Sequence, residues 1–283
     1  MENNLNTMYI SYKEEIHKIT QLQKSSNINW LINNNAKHWD IFGASIQGES
    51  HKKLSKPNQD AFARKVFPNG LSVVAVADGA GSAIRSEEGS RRAVDSIIAY
   101  FSKIKIVKFF TLAKLLKTSF YNARKELEHL ASVSKRKCIL KDFACTLLVS
   151  VAFKDFVVVG GIGDGGIVTR TMKELLLFTE LHPSEYASET TFLTSDLWNN
   201  EIFIYPLPRT DALVLFTDGC TRASVIDKKP DSAFFNPIFK YILENRSRKS
   251  EHEINSDIEG LLSSPNFRKH LDDKTLVIMV VDL

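Results

Sequence analysis

Residues 71–82 read LSVVAVADGAGS, a short β-branched run that ends at Asp78-Gly79. An apolar run of this length bounded by turn formers is the pattern of a buried strand, predicted here over Leu71–Ala77. The same punctuation recurs twice: LVLFT runs into Asp218-Gly219, and VVVGGIG into Asp164-Gly165. A fourth run, TLVIMVV, carries its acids at the opposite end, as Asp272-Asp273-Lys274. A strand is a rigid rod, so a side chain at its tip is well positioned, and the following glycine lets the backbone turn and bring its carbonyl close to a bound ion. If these tips meet at one end of the sheets, several carboxylates converge. They then raise one another's pKa unless cations neutralise them, and hard divalent ions with oxygen ligands, Mg²⁺ or Mn²⁺, suit such a site. One strand followed by Asp-Gly is more often a hairpin than a ligand site. Several behind strongly apolar strands are harder to dismiss, although spacing alone does not establish that they converge.

Outward from this stretch, Trp39–Gln47 and Asp60–Val66 read as strands flanking a polar loop, Gly48–Asn58. Ser86–Tyr100 reads as a helix, with Ser86 as its cap, Glu87 and Glu88 at its positive end, and Val94, Ile97, Ile98 and Phe101 on one face. A longer helix is predicted near 109–132, where Leu112, Leu115, Leu116, Phe120, Ala123, Leu127 and Leu130 recur every three or four residues. Strands follow at 144–153, 156–161, 167–170, 175–179, 212–217 and 276–281, and helices near 237–245 and 254–262. Tight connections favour antiparallel neighbours, and this order is not a regular βαβ alternation. The expected class is α+β, with helices covering antiparallel sheets. Residues 1–39 differ from the rest: they hold eight asparagines and an apolar pattern of helical spacing, read as an amphipathic helix and polar linker before a main domain at 40–283.

Composition narrows the function. The chain has 283 residues, 43% hydrophobic and 25% charged, enough to bury a sizeable core. No apolar run approaches the roughly 18 residues needed to cross a bilayer, and the opening MENNLNTMYISYKEE lacks a basic stretch followed by an apolar one. No membrane partner and a cytoplasmic location are expected. Three cysteines, Cys138, Cys145 and Cys220, form no CxxC pair, which argues against a disulfide framework or zinc site. Net charge is +4, but residues 101–141 hold eleven Lys/Arg against two Glu. A solvated helix face is the first reading of such a run, and no spaced aromatics accompany it, so no nucleic acid partner is expected.

Five ordered motifs together resemble the type 2C metal-dependent Ser/Thr protein phosphatases over about residues 40–283: Asn58-Gln59-Asp60-Ala61, Ala77-Asp78-Gly79-Ala80-Gly81-Ser82, Gly163-Asp164-Gly165-Gly166, Phe216-Thr217-Asp218-Gly219 and Asp272-Asp273-Lys274-Thr275. The bacterial branch is closest, through Ser50-His51…Gln59-Asp60-Ala61 and a Glu-Thr-Thr-Phe-Leu-Thr-Ser segment at Glu189–Ser195. The resemblance implies a four-layer α-β-β-α sandwich with two mainly antiparallel sheets and two Mn²⁺ or Mg²⁺ ions at one edge. It implies that Asp78 bridges both ions, Gly79 offers its carbonyl, and Asp218 and Asp272 hold the other ion. Asp60 would act mainly through water, Asp164 would hold a weaker third ion, and Glu189–Ser195 would form a flap. The implied activity is removal of phosphate from phosphoserine or phosphothreonine by direct attack of a metal-activated water, opposing a Ser/Thr kinase.

Four positions depart from the family pattern: Gln59 stands for a glutamate, Asp273 for an asparagine, Ala80 for a histidine that acts as general acid, and Ser55 for a phosphate-binding arginine. His51, Lys52 or Lys53 is expected to bind phosphate instead, with His51 alternatively supplying a proton. The rival class is a noncatalytic phosphatase-like module that binds a phosphoprotein or regulatory partner, favoured by those departures and disfavoured by the retained aspartates. Gly161–Gly166 matches GxGxxG but leads into β-branched residues rather than a helix, which excludes a dinucleotide site. No cysteine has an arginine six residues on, so thiol chemistry is not expected.

Overall fold

The computed structural model describes residues 39–108, 111–134, 138–154, 156–171, 174–178, 190–208, 210–264, 267 and 271–281. The expected helix and linker at 1–39 therefore lie outside the described residues except for Trp39. Two five-stranded antiparallel sheets stack face to face. The first has the order β1-β12-β9-β6-β7, with β1 (Trp39–Ile46), β6 (Gly166–Thr171), β7 (Glu174–Phe178), β9 (Thr210–Phe216) and β12 (Lys274–Val281). The second has the order β2-β3-β4-β5-β8, with β2 (Ala61–Val66), β3 (Leu71–Ala77), β4 (Leu147–Phe153), β5 (Phe156–Ile162) and β8 (Phe203–Pro208). A short hairpin, β10 (Val225–Ile226) with β11 (Lys229–Pro230), stands apart.

The four layers explain why the strands read as unbroken apolar runs. On β3, Leu71, Val73 and Ala75 face the helices, while Val74 and Val76 face the other sheet, and all five are 0–1% exposed. On β12, Leu276, Ile278 and Val280 face outward to helices, and Val277 and Met279 inward. Helices α2 (Ser86–Ser102) and α3 (Leu112–Val133) cover the second sheet. They bury Val94, Ile97 and Phe101 from one and Leu112, Leu116, Phe120, Ala123 and Leu127 from the other. Past two short helices, α4 (Trp198–Glu201) and α5 (Thr221–Ser224), helices α6 (Ser232–Asn245) and α7 (Glu251–Leu262) cover the first sheet, through Phe235, Phe239 and Ile242, and through Ile254, Ile258 and Leu262. The α-β-β-α expectation is met.

Strand direction places the acids. Ile46 of β1 pairs with Lys274 of β12, Leu276 with Phe216 of β9, and Phe216 with Gly166 of β6. In the second sheet Ala61 pairs with Ala77, Val76 with Leu148, and Leu147 with Ile162. The ends of β3, β5 and β9 and the starts of β2 and β12 thus share one edge of the sandwich. Asp78 and Asp60 sit one residue, and Asp164, Asp218 and Asp272 two residues, beyond those ends.

Several expectations need correction. The stretch Gly48–Asn58 is not all loop: α1 (Glu49–Lys53) forms there, its Ser50 N–H and Oγ both bonded to the Leu271 carbonyl. Ser86 is the first residue of α2 rather than its cap; Arg85 precedes it without a side-chain cap bond, and the Ser86 Oγ is buried without a partner. Helix α6 starts at Ser232, not Pro237, because the Asp231 carboxylate caps it by accepting from the Ala233 N–H. Strand β8 was not expected, since Pro206 and Pro208 disguise it; it lies at a sheet edge, where a missing N–H is tolerated.

Candidate active site

Asp60 is the most enclosed of the five acids, 5% exposed. It heads a strand of the second sheet, yet its Oδ2 accepts from Thr217 Oγ1 and Thr275 Oγ1, both 2.8 Å away at the tips of β9 and β12 in the first sheet. One carboxylate oxygen therefore bolts the two sheets together. The other, Oδ1, is buried with no hydrogen-bond partner. Burial pushes the Asp60 carboxyl up to about 8, with the charges of Asp273 and Asp218 adding to it and the two threonine hydroxyls opposing.

Asp78 and Asp218 are half-buried, and Asp164 and Asp272 are exposed. Asp78 is held by its backbone: its N–H donates to Thr146 Oγ1 at 2.9 Å, and its carbonyl accepts from the Thr146 N–H at 2.8 Å. Its carboxyl is raised well above the usual range by burial first, then by the charges of Asp60, Asp218 and Asp272. Asp218 is raised by burial first and then by the charge of Asp164; its Oδ1 is also buried without a partner. Asp164 Oδ2 accepts from Thr190 Oγ1 at 2.6 Å. Among the described residues, no Lys or Arg side chain forms an ion pair with any of these five acids. The structure therefore gathers Asp60, Asp78, Asp164, Asp218 and Asp272 at one edge, where the nearby Lys274 Nζ donates to the Asp272 carbonyl at 2.8 Å rather than pairing with a carboxylate.

The glycines after these acids are required by close approach. A Cβ at Gly79 would lie 2.8 Å from the Gln59 carbonyl oxygen and from Ser86, and one at Gly219 only 2.0 Å from the Asp273 carbonyl oxygen. Gly79 also bridges to Cys145, the start of the segment leading into β4.

Asp273 does something the sequence did not disclose. It is 2% exposed; Oδ1 accepts from the Gly48 N–H at 2.7 Å, and Oδ2 from the Gln59 N–H at 2.6 Å, with His51 Nδ1 at 2.8 Å from the same oxygen. One carboxylate thus ties together α1, the residue before Asp60 and the start of β12. His51, Asp272 and Asp273 bring one potential ligand atom each within 4.8 Å, but both Asp273 oxygens are already spent on these donors. His51 reaches this edge buried, with its Nδ1 turned to Asp273. Lys52 pairs with Glu49 at 2.8 Å on the exposed face of α1, and Lys53 is exposed beside it.

Sequence reasoning also missed Arg124 on α3. Its Nη1 donates to the carbonyls of Leu193 and Ser195 at 2.7 and 2.9 Å, pinning the described part of the expected flap. Leu193 in turn donates its N–H to the Cys145 carbonyl. Cys145 and Cys220 are not placed for thiolate chemistry: both are fully buried, which pushes their thiols far up. A groove of about 640 Å³ between β1 and β2 lies at the opposite end of those strands, and its Arg64 and Arg246 are paired with Glu251 and Asp40.

The sequence profile of the family described as Protein phosphatase 2C matches residues 47–262. The chain belongs to the protein phosphatase 2C family. It is 30% identical to serine/threonine-protein phosphatase 3 of Escherichia coli (strain K12), over 85% of this chain and 97% of that protein. Among solved structures it is similar to the serine/threonine phosphatase of S. agalactiae, with a TM-score of 0.62 and 17% identity, covering 87% of this chain and all of that one. It is also similar to the catalytic domain of the serine/threonine protein phosphatase PstP in complex with two manganese ions, with a TM-score of 0.59 and 15% identity, covering 87% and 99% of the two chains. At these identities the solved structures establish the shared protein phosphatase 2C fold. No helix among the described residues is long and apolar enough to cross a membrane.

Proposed function

We propose that this protein phosphatase 2C member is a divalent-cation-dependent enzyme that removes phosphate from phosphoserine and phosphothreonine in proteins. The observation that carries the reading is the edge of the sandwich where five aspartates gather with no Lys or Arg ion pair to any of their carboxylates among the described residues. Buried, unpartnered oxygens on Asp60 and Asp218 fit a cation, and an all-oxygen donor set suits Mn²⁺ or Mg²⁺. Family membership and the name of the E. coli relative support the substrate class.

In this reading Asp78, the Gly79 carbonyl, Asp218 and Asp272 would hold two ions, and Asp164 would contribute to a weaker third. The chemistry such ions would supply is acidification of a water and neutralisation of phosphate charge. Asp60, oriented by the hydroxyls of Thr217 and Thr275 on its Oδ2, would hold the attacking water through its unpartnered Oδ1. Asp273 and His51 hold the segments that carry Asp60 and Asp272 in register. Release of phosphate from a phosphopeptide, measured with Mn²⁺ and with chelator, is the test. We expect Mn²⁺-dependent turnover that D78N abolishes while circular dichroism stays unchanged; equal activity of D78N would remove Asp78 from the mechanism. The positions Ala80 and Ser55 favour the second reading, a noncatalytic module, which would bind the same phosphopeptide without Mn²⁺-dependent turnover.

A further inference from the structure

From Phe101 to Lys125 the chain contains seven Lys/Arg and no acidic residue. Helix α2 ends and α3 begins at the same end of the helix layer, while Ser134, just past α3, accepts from Arg85 just before α2. The two helices are therefore antiparallel. Lys103 and Lys105 sit at the end far from the aspartates, about 25 Å from Ser86 at 1.5 Å per residue. Along α3, Lys114, Lys117, Tyr121 and Lys125 follow at spacings of three, four and four and are all exposed, so they form one stripe.

The stripe leads toward the active site. The Tyr121 hydroxyl donates to Asn199, and its ring meets Trp198 edge-on at 4.8 Å, directly after the segment pinned by Arg124. That segment reaches Gly79 through Leu193 and Cys145. Elsewhere on the same two helices cations face acids: Arg92 with Glu126 at 3.8 Å and Arg124 with Glu128 at 2.9 Å. Among the described residues, Lys103, Lys105, Lys114, Lys117 and Lys125 have no such partner.

We propose that this stripe docks an acidic, extended segment of the phosphoprotein substrate, laid along α3 so that the phosphorylated residue reaches the aspartate edge. The substrate class rests on the phosphatase reading above. Lys114 to Lys125 spans about 16 Å along the helix axis, the reach of about five extended residues. An acidic segment would gain charge pairs there without breaking any existing ion pair, and the field would draw it in before contact. Touching no reacting atom, the stripe should act on KM and leave the chemical step alone. A lipid surface is disfavoured by the scarcity of exposed apolar side chains along the stripe: Ile106 stands free at 79% exposure, but Tyr121 is held by Asn199 and Trp198.

The test uses the full chain and a fluorescent, unphosphorylated, glutamate-rich peptide, with phosphatidylserine vesicles as the competing surface. We expect the peptide to bind in a salt-sensitive manner and K114E/K117E/K125E to weaken it roughly tenfold or more, with the neutral K114Q/K117Q/K125Q intermediate. Turnover of a small aryl phosphate should stay within about twofold, while KM rises for a phosphopeptide carrying the acidic tract and not for one without it. Equal peptide binding by the parent and the charge-reversed protein, or binding of vesicles but not peptide, would overturn the proposal. Peptide binding needs no turnover. A protein that binds the peptide but hydrolyses no phosphate would fail the phosphatase reading alone, and one that hydrolyses aryl phosphate but ignores the peptide would fail the docking proposal alone.

Discussion

Among the described residues Asp273 is the least exposed acid: its carboxyl group is almost out of water, facing two backbone N–H groups and an imidazole nitrogen. D273N would turn an amide N–H₂ toward at least one of those donors, leaving it buried and unsatisfied at a cost of about 2 kcal/mol. For a chain of this size that lowers Tm by roughly 4–8 °C, measurable by thermal melting in chelator; an unchanged Tm would mean these bonds do not hold the site together. Little of this was legible in the sequence. The Asp272-Asp273 pair reads as one acidic motif, yet the two side chains have opposite fates, one exposed and the other buried. The hydroxyls of Thr217 and Thr275 were in plain view inside the quoted motifs, but nothing in either motif says that both reach Asp60.

Among the elements, α3 links the outer helix layer to the active-site edge. Arg124 leaves that helix to grip two carbonyls of the segment after Thr190, with its guanidinium over the Trp198 ring at 5.7 Å. R124M keeps the aliphatic contact and removes the grip. We expect faster hydrogen exchange over residues 190–198, a KM for phosphopeptide raised about threefold or more, and a global Tm changed little, because about 1–2 kcal/mol of local bonding is lost from one segment. Unaltered exchange there would show that the segment is held by other contacts. Elements with a pure local signature were read closely: β3 over Leu71–Ala77 to the residue, and α3, from its apolar spacing, to within three residues at its start and one at its end. Strand β8 and helix α1 escaped because prolines mask the one and α1 is only five residues long, held from outside by Leu271 and Asp273.

At the scale of the whole molecule, the folded state without cation carries carboxyls that hold protons more tightly than in the unfolded chain. Asp60 is pushed from the ordinary 3.8 to about 8, and Asp78 and Asp218 upward with it. Between these limits the folded state binds more protons than the unfolded one, so its stability falls as pH rises. The contribution is complete below about pH 4 and lost by about pH 8. We expect Tm in chelator to drop by several degrees between pH 5 and 8, and Mn²⁺ to raise Tm more at pH 8 than at pH 5, since the ions displace those protons. Scanning calorimetry at both pH values, with and without Mn²⁺, checks it; a metal-free Tm that rises over this range would contradict the repulsion inferred at the site.

The amino-acid order by itself determined the parts of this protein that depend on near neighbours: apolar runs of strand length, helices with a three-to-four residue period, and aspartate-glycine pairs where strands stop. These follow from local sterics and from side chains that must leave water whatever the fold. Tertiary structure alone decided that Thr217 and Thr275 share one oxygen of Asp60, that His51 faces Asp273 instead of solvent, and that Arg124 holds Leu193 and Ser195. Those partners lie 69 to 222 residues apart along the chain, Arg124 and Leu193 the nearest and His51 and Asp273 the farthest. Which of them meet is set by the stacking of two sheets and a helix layer, a choice that no single stretch of sequence contains.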